Sequence, residues 1–269
     1  MRADRPRLVA MDLDGTLLRS DQTISPRTIA ALARIGSADA RFVFVTGRSP
    51  RHTAAVLGPL RYQDTVICSN GALIYDMRRA SVIDQHLIPA RLLAEAAGRL
   101  RQAIPGLGIA VEFADKLIRD DLFKAAAWEA DESMPRLPDA QLFARDAAKL
   151  LGRHPGLPAD ELLALAAPAI GEIVNVYHSG GARLVEATAA GVSKGSALAD
   201  LARRLGIAAA DVVAFGDMVN DLPMLAWAGT SFGMANAHPD VLAMVDQVIL
   251  GNDEDGVAAV LEHLFPDPC

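Results

Sequence analysis

The sequence predicts an α/β protein in which a doubly wound parallel sheet is interrupted by a second, inserted α/β domain. Two observations carry this expectation. Short apolar runs alternate with helix-start signals near the front of the chain and again near its end, the pattern of parallel strands covered by helices. Between these stretches the pattern changes to Ala-rich helical segments mixed with short alternating strands. The expected boundaries are 1–76 and 187–269 for the sheet-and-helix core and 77–186 for the insertion.

Leu8–Val9–Ala10–Met11 is a continuous apolar run, as in a strand buried on both faces, and it ends at Asp12. Ser25–Pro26 starts a helix, with Ser25 as cap and Pro26 in the first turn. Ile29, Leu32 and Ala33 give that helix an apolar face, and Gly36 stops it. Phe42–Val45 is a second buried strand, ending at Thr46–Gly47–Arg48, and Ser49–Pro50 repeats the helix start. Thr65–Cys68 is a third, ending at Ser69–Asn70–Gly71.

The pattern returns late. A helix from Ser193 to Leu205 closes at Gly206, a strand over Asp211–Phe215 ends at Gly216–Asp217, and a short helix from Asp221 to Ala228 closes at Gly229. Gln247–Leu250 and Asp255–Leu264 read as a last strand and a last helix. In the insertion, strands are expected at Gly108–Phe113, Lys116–Arg119, Ile173–His178 and Arg183–Glu186. Alternation over Ile173–Tyr177 predicts an antiparallel, half-exposed sheet. Pro135–Pro138 and His154–Pro158 read as turns.

Bulk properties narrow the function. Apolar residues make up 51% of the 269 and charged residues 22%, which excludes general disorder. The net charge of −7 disfavours nucleic acid as a partner. It leaves room for a small phosphorylated metabolite, because a few local cations and a metal outweigh net charge. Two cysteines, Cys68 and Cys269, make neither a disulfide framework nor a zinc cluster. The segment before Asp12 is too short and too charged for a signal peptide, and Leu162–Ile170 is too short to span a bilayer and contains Pro168. A cytoplasmic enzyme with no membrane partner is the expectation; oligomeric state is not legible.

Ligands of open parallel sheets bind beyond the carboxyl ends of the strands, so Asp12, Thr46, Asn70 and Asp217 are expected to converge. Asp12 and Asp14, two apart in an extended segment, point the same way, and such like charges need a cation or a proton between them. Magnesium, a hard dication with oxygen ligands, suits that need and phosphate chemistry together. Asp–Gly is also a common turn dipeptide. Asp217 can complete the metal site, and Asp221, one helical turn on, can support it from behind, although acids at a helix start are favourable in their own right. Lys194 sits at a helix start, where the dipole disfavours a cation unless it faces an anion. Thr46–Gly47–Arg48 offers a hydroxyl, closely approachable amides and a cation.

Taken in order, DLDGT, TGR, the lysine of GVSKGSAL, and GDMVND resemble the haloacid dehalogenase (HAD) superfamily. SNGALIYD and GNDEDGV add to the match. The large insertion between the second and third motifs is similar to the Cof-type branch, with its class IIB α/β cap. That resemblance implies a Rossmann-like core and a magnesium-dependent phosphatase acting on sugar phosphates or phosphorylated cofactors. Asp12 would form an aspartyl-phosphate, and Asp14 would protonate the leaving oxygen and then activate water. Asp12, the Asp14 backbone carbonyl and Asp217 would hold Mg2+; Thr46, Gly47, Lys194 and Asn220 would grip the phosphoryl oxygens; Asp221 would orient Lys194 or the metal ligands. A phosphomutase with the same motifs and a noncatalytic phosphometabolite-binding protein are the alternatives. Glu112, Arg119, His178 and Arg183 are candidate cap contacts to substrate.

Overall fold

The computed structural model describes residues 5–124, 134–180 and 183–266; Cys269 and the first four residues lie outside the described residues. In the first part of the chain come β1 (Leu8–Met11), α1 (Pro26–Ser37), β2 (Arg41–Val45), α2 (Pro50–Leu57), β3 (Thr65–Cys68), β4 (Leu73–Asp76) and β5 (Ser81–Gln85). The middle holds α3 (Ala90–Ala103), β6 (Gly108–Glu112), β7 (Leu117–Arg119), α4 (Asp139–Leu142), β8 (Lys149–Arg153), α5 (Ala159–Ile170), β9 (Val174–Tyr177) and β10 (Leu184–Ala189). The last part holds α6 (Lys194–Leu205), β11 (Val212–Gly216), α7 (Leu222–Trp227), β12 (Thr230–Met234), α8 (Pro239–Leu242), β13 (Gln247–Ile249) and α9 (Gly256–Leu264).

The large sheet runs β13-β12-β11-β1-β2-β3-β4-β5. Its strands from β13 to β3 are parallel, and β4 and β5 add an antiparallel hairpin at one edge. The chain steps outward from β1 in one direction and from β11 in the other. Right-handed crossovers then put the helices on opposite faces, so the sheet is doubly wound. The switch point lies between β1 and β11, where the two strands pair as Met11 with Phe215. Both strands are buried along their whole length, which is why they read as unbroken apolar runs.

Caps fix the helix starts. Ser25 Oγ accepts the Thr28 N–H at 3.0 Å. Ser193 and Ser196 form a reciprocal capping box at the head of α6. Loss of such a cap costs about 1 kcal/mol.

The second sheet runs β7-β6-β8-β10-β9 and is antiparallel throughout. One face carries Ile109, Val111, Leu150, Val185 and Ala187, which join an apolar cluster with α3 and α5 separate from that of the large sheet. The alternation along β9 comes with an antiparallel sheet, as expected, but the other face is not half-exposed. Glu112, Lys149, Glu186 and Tyr177 on it are all less than 9% exposed, because it lies on loops of the large sheet. Strand β5 belongs to the large sheet although it follows residue 76.

Candidate functional site

The carboxyl ends of β1, β2, β3 and β11 and the start of α6 meet at one place. Asp12 follows β1, its backbone N–H donating to Phe215 O of β11 at 3.1 Å. Lys194 opens α6 and is 1% exposed; its Nζ lies 2.5 Å from Asp12 Oδ1 and 2.7 Å from Asp221 Oδ1. Asp221 Oδ2 accepts the backbone N–H groups of Asp217 and Met218, which fixes the turn that presents Asp217. Thr16 Oγ1 donates to Asp217 Oδ1 at 2.8 Å.

Carboxylate oxygens of Asp12, Asp217 and Asp221 fall within 4.8 Å of one another. Burial and the neighbouring acids raise the Asp12 pKa well above the ordinary aspartate range, against the pull of Lys194. Burial, followed by the charge of Asp221, pushes Asp217 up to about 7. For Lys194 burial opposes the charge, yet Asp12 and Asp221 outweigh it and hold its pKa above the ordinary lysine value. A buried set of acids so crowded is a fit for a divalent cation with oxygen ligands.

The carboxylate of Asp14 does not join that trio. It is gripped by Arg48, whose Nε lies 2.7 Å from Oδ2 and whose Nη2 lies 2.5 Å from Oδ1. Arg48 also reaches Gln22 Oε1. The cation of the TGR motif therefore serves Asp14. Between the two acids and Asp217, Gly15 has φ +74°, and a Cβ there would stand 2.3 Å from Asp217 Oδ2. Asn236 Nδ2 holds the Gly15 carbonyl at 2.8 Å.

Thr46 is fully buried, and its Oγ1 accepts the Arg48 N–H at 3.1 Å. Asn220 comes to the same place, its Nδ2 donating to Asn70 Oδ1 at 2.9 Å. Ser69 and Asn70 both take left-handed φ, an uncommon conformation for such residues, which turns Asn70 inward. A small cavity of about 90 Å3 is walled by Asn70, Asn175, Tyr177, Lys194 and Asn220 among others. Asn70 Nδ2 and Asn220 Oδ1, both buried, have no hydrogen-bond partner among the described residues. Groups like these are costly to bury unless a ligand or water meets them.

A family profile described as haloacid dehalogenase-like hydrolase matches residues 9–261. The chain belongs to this family. An HMP-PP phosphatase of Serratia proteamaculans (strain 568) is 29% identical over 97% of this chain and 96% of its own. A haloacid dehalogenase-like hydrolase from B. subtilis has a solved structure that superposes with a TM-score of 0.82 at 26% identity, covering 96% of this chain and 99% of that one. A HAD subclass IIB sugar phosphatase shares the fold at a TM-score of 0.80 and 22% identity, covering 96% and 98%.

In this haloacid dehalogenase-like hydrolase the expected cap contacts behave differently from one another. Glu112 accepts the Ser69 hydroxyl at 2.8 Å, across to a large-sheet loop. Arg119 donates to Phe123 O and Arg183 to Pro155 O, both within the insertion. His178 Nε2 meets Asp160 Oδ1 at 2.9 Å, and His238 Nε2 lies 3.4 Å from the same oxygen. Both rings accept a backbone N–H on Nδ1, from Gly180 and Asp240, so their ring protons sit on Nε2 and point at Asp160. His178 and Asp160 both belong to the insertion, so the approach that crosses to the large-sheet domain is that of His238 to Asp160. Asn70 was among the strand-end residues expected to converge, and Arg48 was the cation of the TGR turn, though neither was given a role at the site. Lys149, Tyr177, Ser179 and Asn236 were not among the expected site residues, and no local signal marks them.

Proposed function

We propose that this chain is a magnesium-dependent phosphatase of small phosphorylated metabolites, working through an aspartyl-phosphate on Asp12. The observation that carries this reading is the buried Asp12 carboxylate, held by Lys194 and beside Asp217 at the sheet's switch point. The names of the similar proteins, HMP-PP phosphatase and sugar phosphatase, support a phosphate monoester or diphosphate as substrate class. The net charge of −7 favours a small phosphorylated metabolite over nucleic acid, and among the described residues no helix is long and apolar enough to cross a membrane.

The geometry supports the following roles. Asp12 attacks phosphorus while Lys194 neutralises charge between two anions, and Asp221 keeps the ammonium aimed. The Thr46 hydroxyl, the Gly47 amide and Asn220 hold phosphoryl oxygens. Asp14, steered by Arg48, gives its proton to the leaving oxygen and afterwards takes one from the water that attacks the aspartyl-phosphate. Asp12, the Asp14 backbone carbonyl and Asp217 would hold Mg2+, which when bound neutralises phosphoryl charge. Residues 1–76 and 187–269 form the catalytic domain, joined by the β4–β5 hairpin, and the rest of 77–186 forms the cap.

Steady release of phosphate from p-nitrophenyl phosphate, dependent on Mg2+ and abolished in Asp12→Asn, is the expected result. Metal-independent turnover, or turnover retained in Asp12→Asn, contradicts it.

A further inference from the structure

The polar face of the cap sheet carries a buried ionic cluster that the proposed chemistry does not use. Glu112 of β6, Lys149 of β8 and Glu186 of β10 lie side by side, each 4% exposed. Lys149 sits directly opposite Glu112 in the strand register. Its Nζ lies 3.4 Å from Glu112 Oε1 and 2.6 Å from Glu186 Oε2. A third direction of the ammonium leads out of the cap, to the carbonyl oxygen of Gly47 at 2.9 Å.

The ammonium donates to Glu186 and to the Gly47 carbonyl, and Glu112 faces it as an ion-pair partner. The carboxylates have hydroxyl partners too: Ser69 Oγ donates to Glu112, and Ser179 Oγ donates to Glu186. What the cluster holds is a single peptide unit of the large-sheet domain. The C=O of the Gly47–Arg48 peptide accepts from Lys149, and the N–H of that same peptide donates to Thr46 Oγ1. The Arg48 carbonyl in turn accepts the Ser69 N–H at 2.9 Å, and Ser69 is the residue tied to Glu112. The loop that would grip phosphate, and that aims Arg48 at Asp14, is thus pinned from the cap.

Burying three charges brings less stability than packing apolar side chains in their place, so the gain from such a cluster is in geometry. Burial works against the charge of Lys149, yet Glu112 and Glu186 outweigh it and keep the group cationic.

We propose that Lys149 is a positioning residue through which the closed cap fixes the Gly47–Arg48 peptide, so that the phosphate-gripping loop is fully ordered only beneath the cap. This rests on the phosphatase reading for the ligand that the loop holds, but not for the tether itself.

The test uses Lys149→Met in the full-length, magnesium-loaded protein. Because that change leaves two buried carboxylates facing each other, Lys149→Met/Glu186→Gln is made beside it. Three quantities are read: the affinity for inorganic phosphate by calorimetry, amide hydrogen exchange over residues 46–48, and activity on p-nitrophenyl phosphate and on bulkier esters. In whichever variant folds, phosphate affinity falls about tenfold and exchange quickens by about the same factor, the scale of one lost charge-assisted hydrogen bond. Activity falls alike on p-nitrophenyl phosphate and on bulkier esters. Exchange and phosphate affinity both equal to wild type overturn the proposal. So does a loss confined to bulkier esters, which would make Lys149 a contact for the leaving group. The exchange readout needs no turnover, so a wild-type protein without phosphatase activity would sink the functional reading and still leave the tether decided.

Discussion

Arg48 grips Asp14 through two hydrogen bonds, and this pairing gives the two acids of the DLDGT motif different partners. Asp12 is turned to the buried lysine and its acidic neighbours. Asp14 is turned to a guanidinium from the next strand's end, with 46% of its side chain exposed. A bidentate fork fixes the plane of a carboxylate as well as its position.

Arg48→Ala therefore lowers kcat more than it raises KM, by about 10- to 100-fold, the range for misplacing a proton-transfer group. The decisive comparison is between leaving groups. The loss is larger for alkyl phosphates, whose leaving oxygen needs a proton, than for p-nitrophenyl phosphate, which departs without one. Equal losses on both substrates contradict the role assigned to Asp14.

Gly15→Ala should be destabilising although the position is a loop. The new Cβ meets Asp217 and is forced into a left-handed backbone. A loss of about 1–3 kcal/mol in chemical denaturation is expected. Mg2+ affinity falls with it, because the displaced group is Asp217. A variant with wild-type stability and wild-type metal affinity contradicts the packing described.

Metal removal should interact with pH. Asp217 in the metal-free fold is pushed up to about 7, so the folded state keeps a proton that the unfolded chain has released. The unfolding free energy contributed by this group therefore falls as pH rises from about 4 to about 7 and is level above that. Asp12 acts in the same direction. Added Mg2+ replaces the proton, so the gain in Tm on adding Mg2+ grows across that window and then flattens. Thermal melts with EDTA and with Mg2+ across the pH range check this; a gain independent of pH contradicts it.

How much of this was legible in the sequence depends on where each side chain's partner comes from. β1 and β3 match their expected spans because strands buried on both faces show as apolar runs with sharp ends. Strand β8 was missed: Lys149 and Arg153 bound it and Gly152 interrupts it, and its charged face is buried against loops remote in sequence. β12 was missed because Thr, Ser and Gly fill half of a strand whose burial comes from neighbours on both sides. At the site, Asp12, Lys194, Asp217 and Asp221 stand together as their motifs suggested. Arg48 was noted only as the cation of the TGR turn; that its partner is Asp14 depends on how a flexible side chain crosses between two loops. The place of Tyr177 beside Asn70 and Lys194 and the contact of Lys149 with Gly47 depend on how the cap lies on the core, and no local pattern encodes that.

The most direct test of Asp12 as nucleophile is to catch the phosphorylated protein. Asp14→Asn, expected to slow the attack of water, is mixed with Mg2+ and p-nitrophenyl phosphate, quenched in acid, and treated with borohydride before peptide mapping. The expected result is one phosphoryl group per chain before reduction and homoserine at position 12 after it. Phosphate release with no phosphorylated chain at any quench time, or reduction at a residue other than Asp12, would contradict the account.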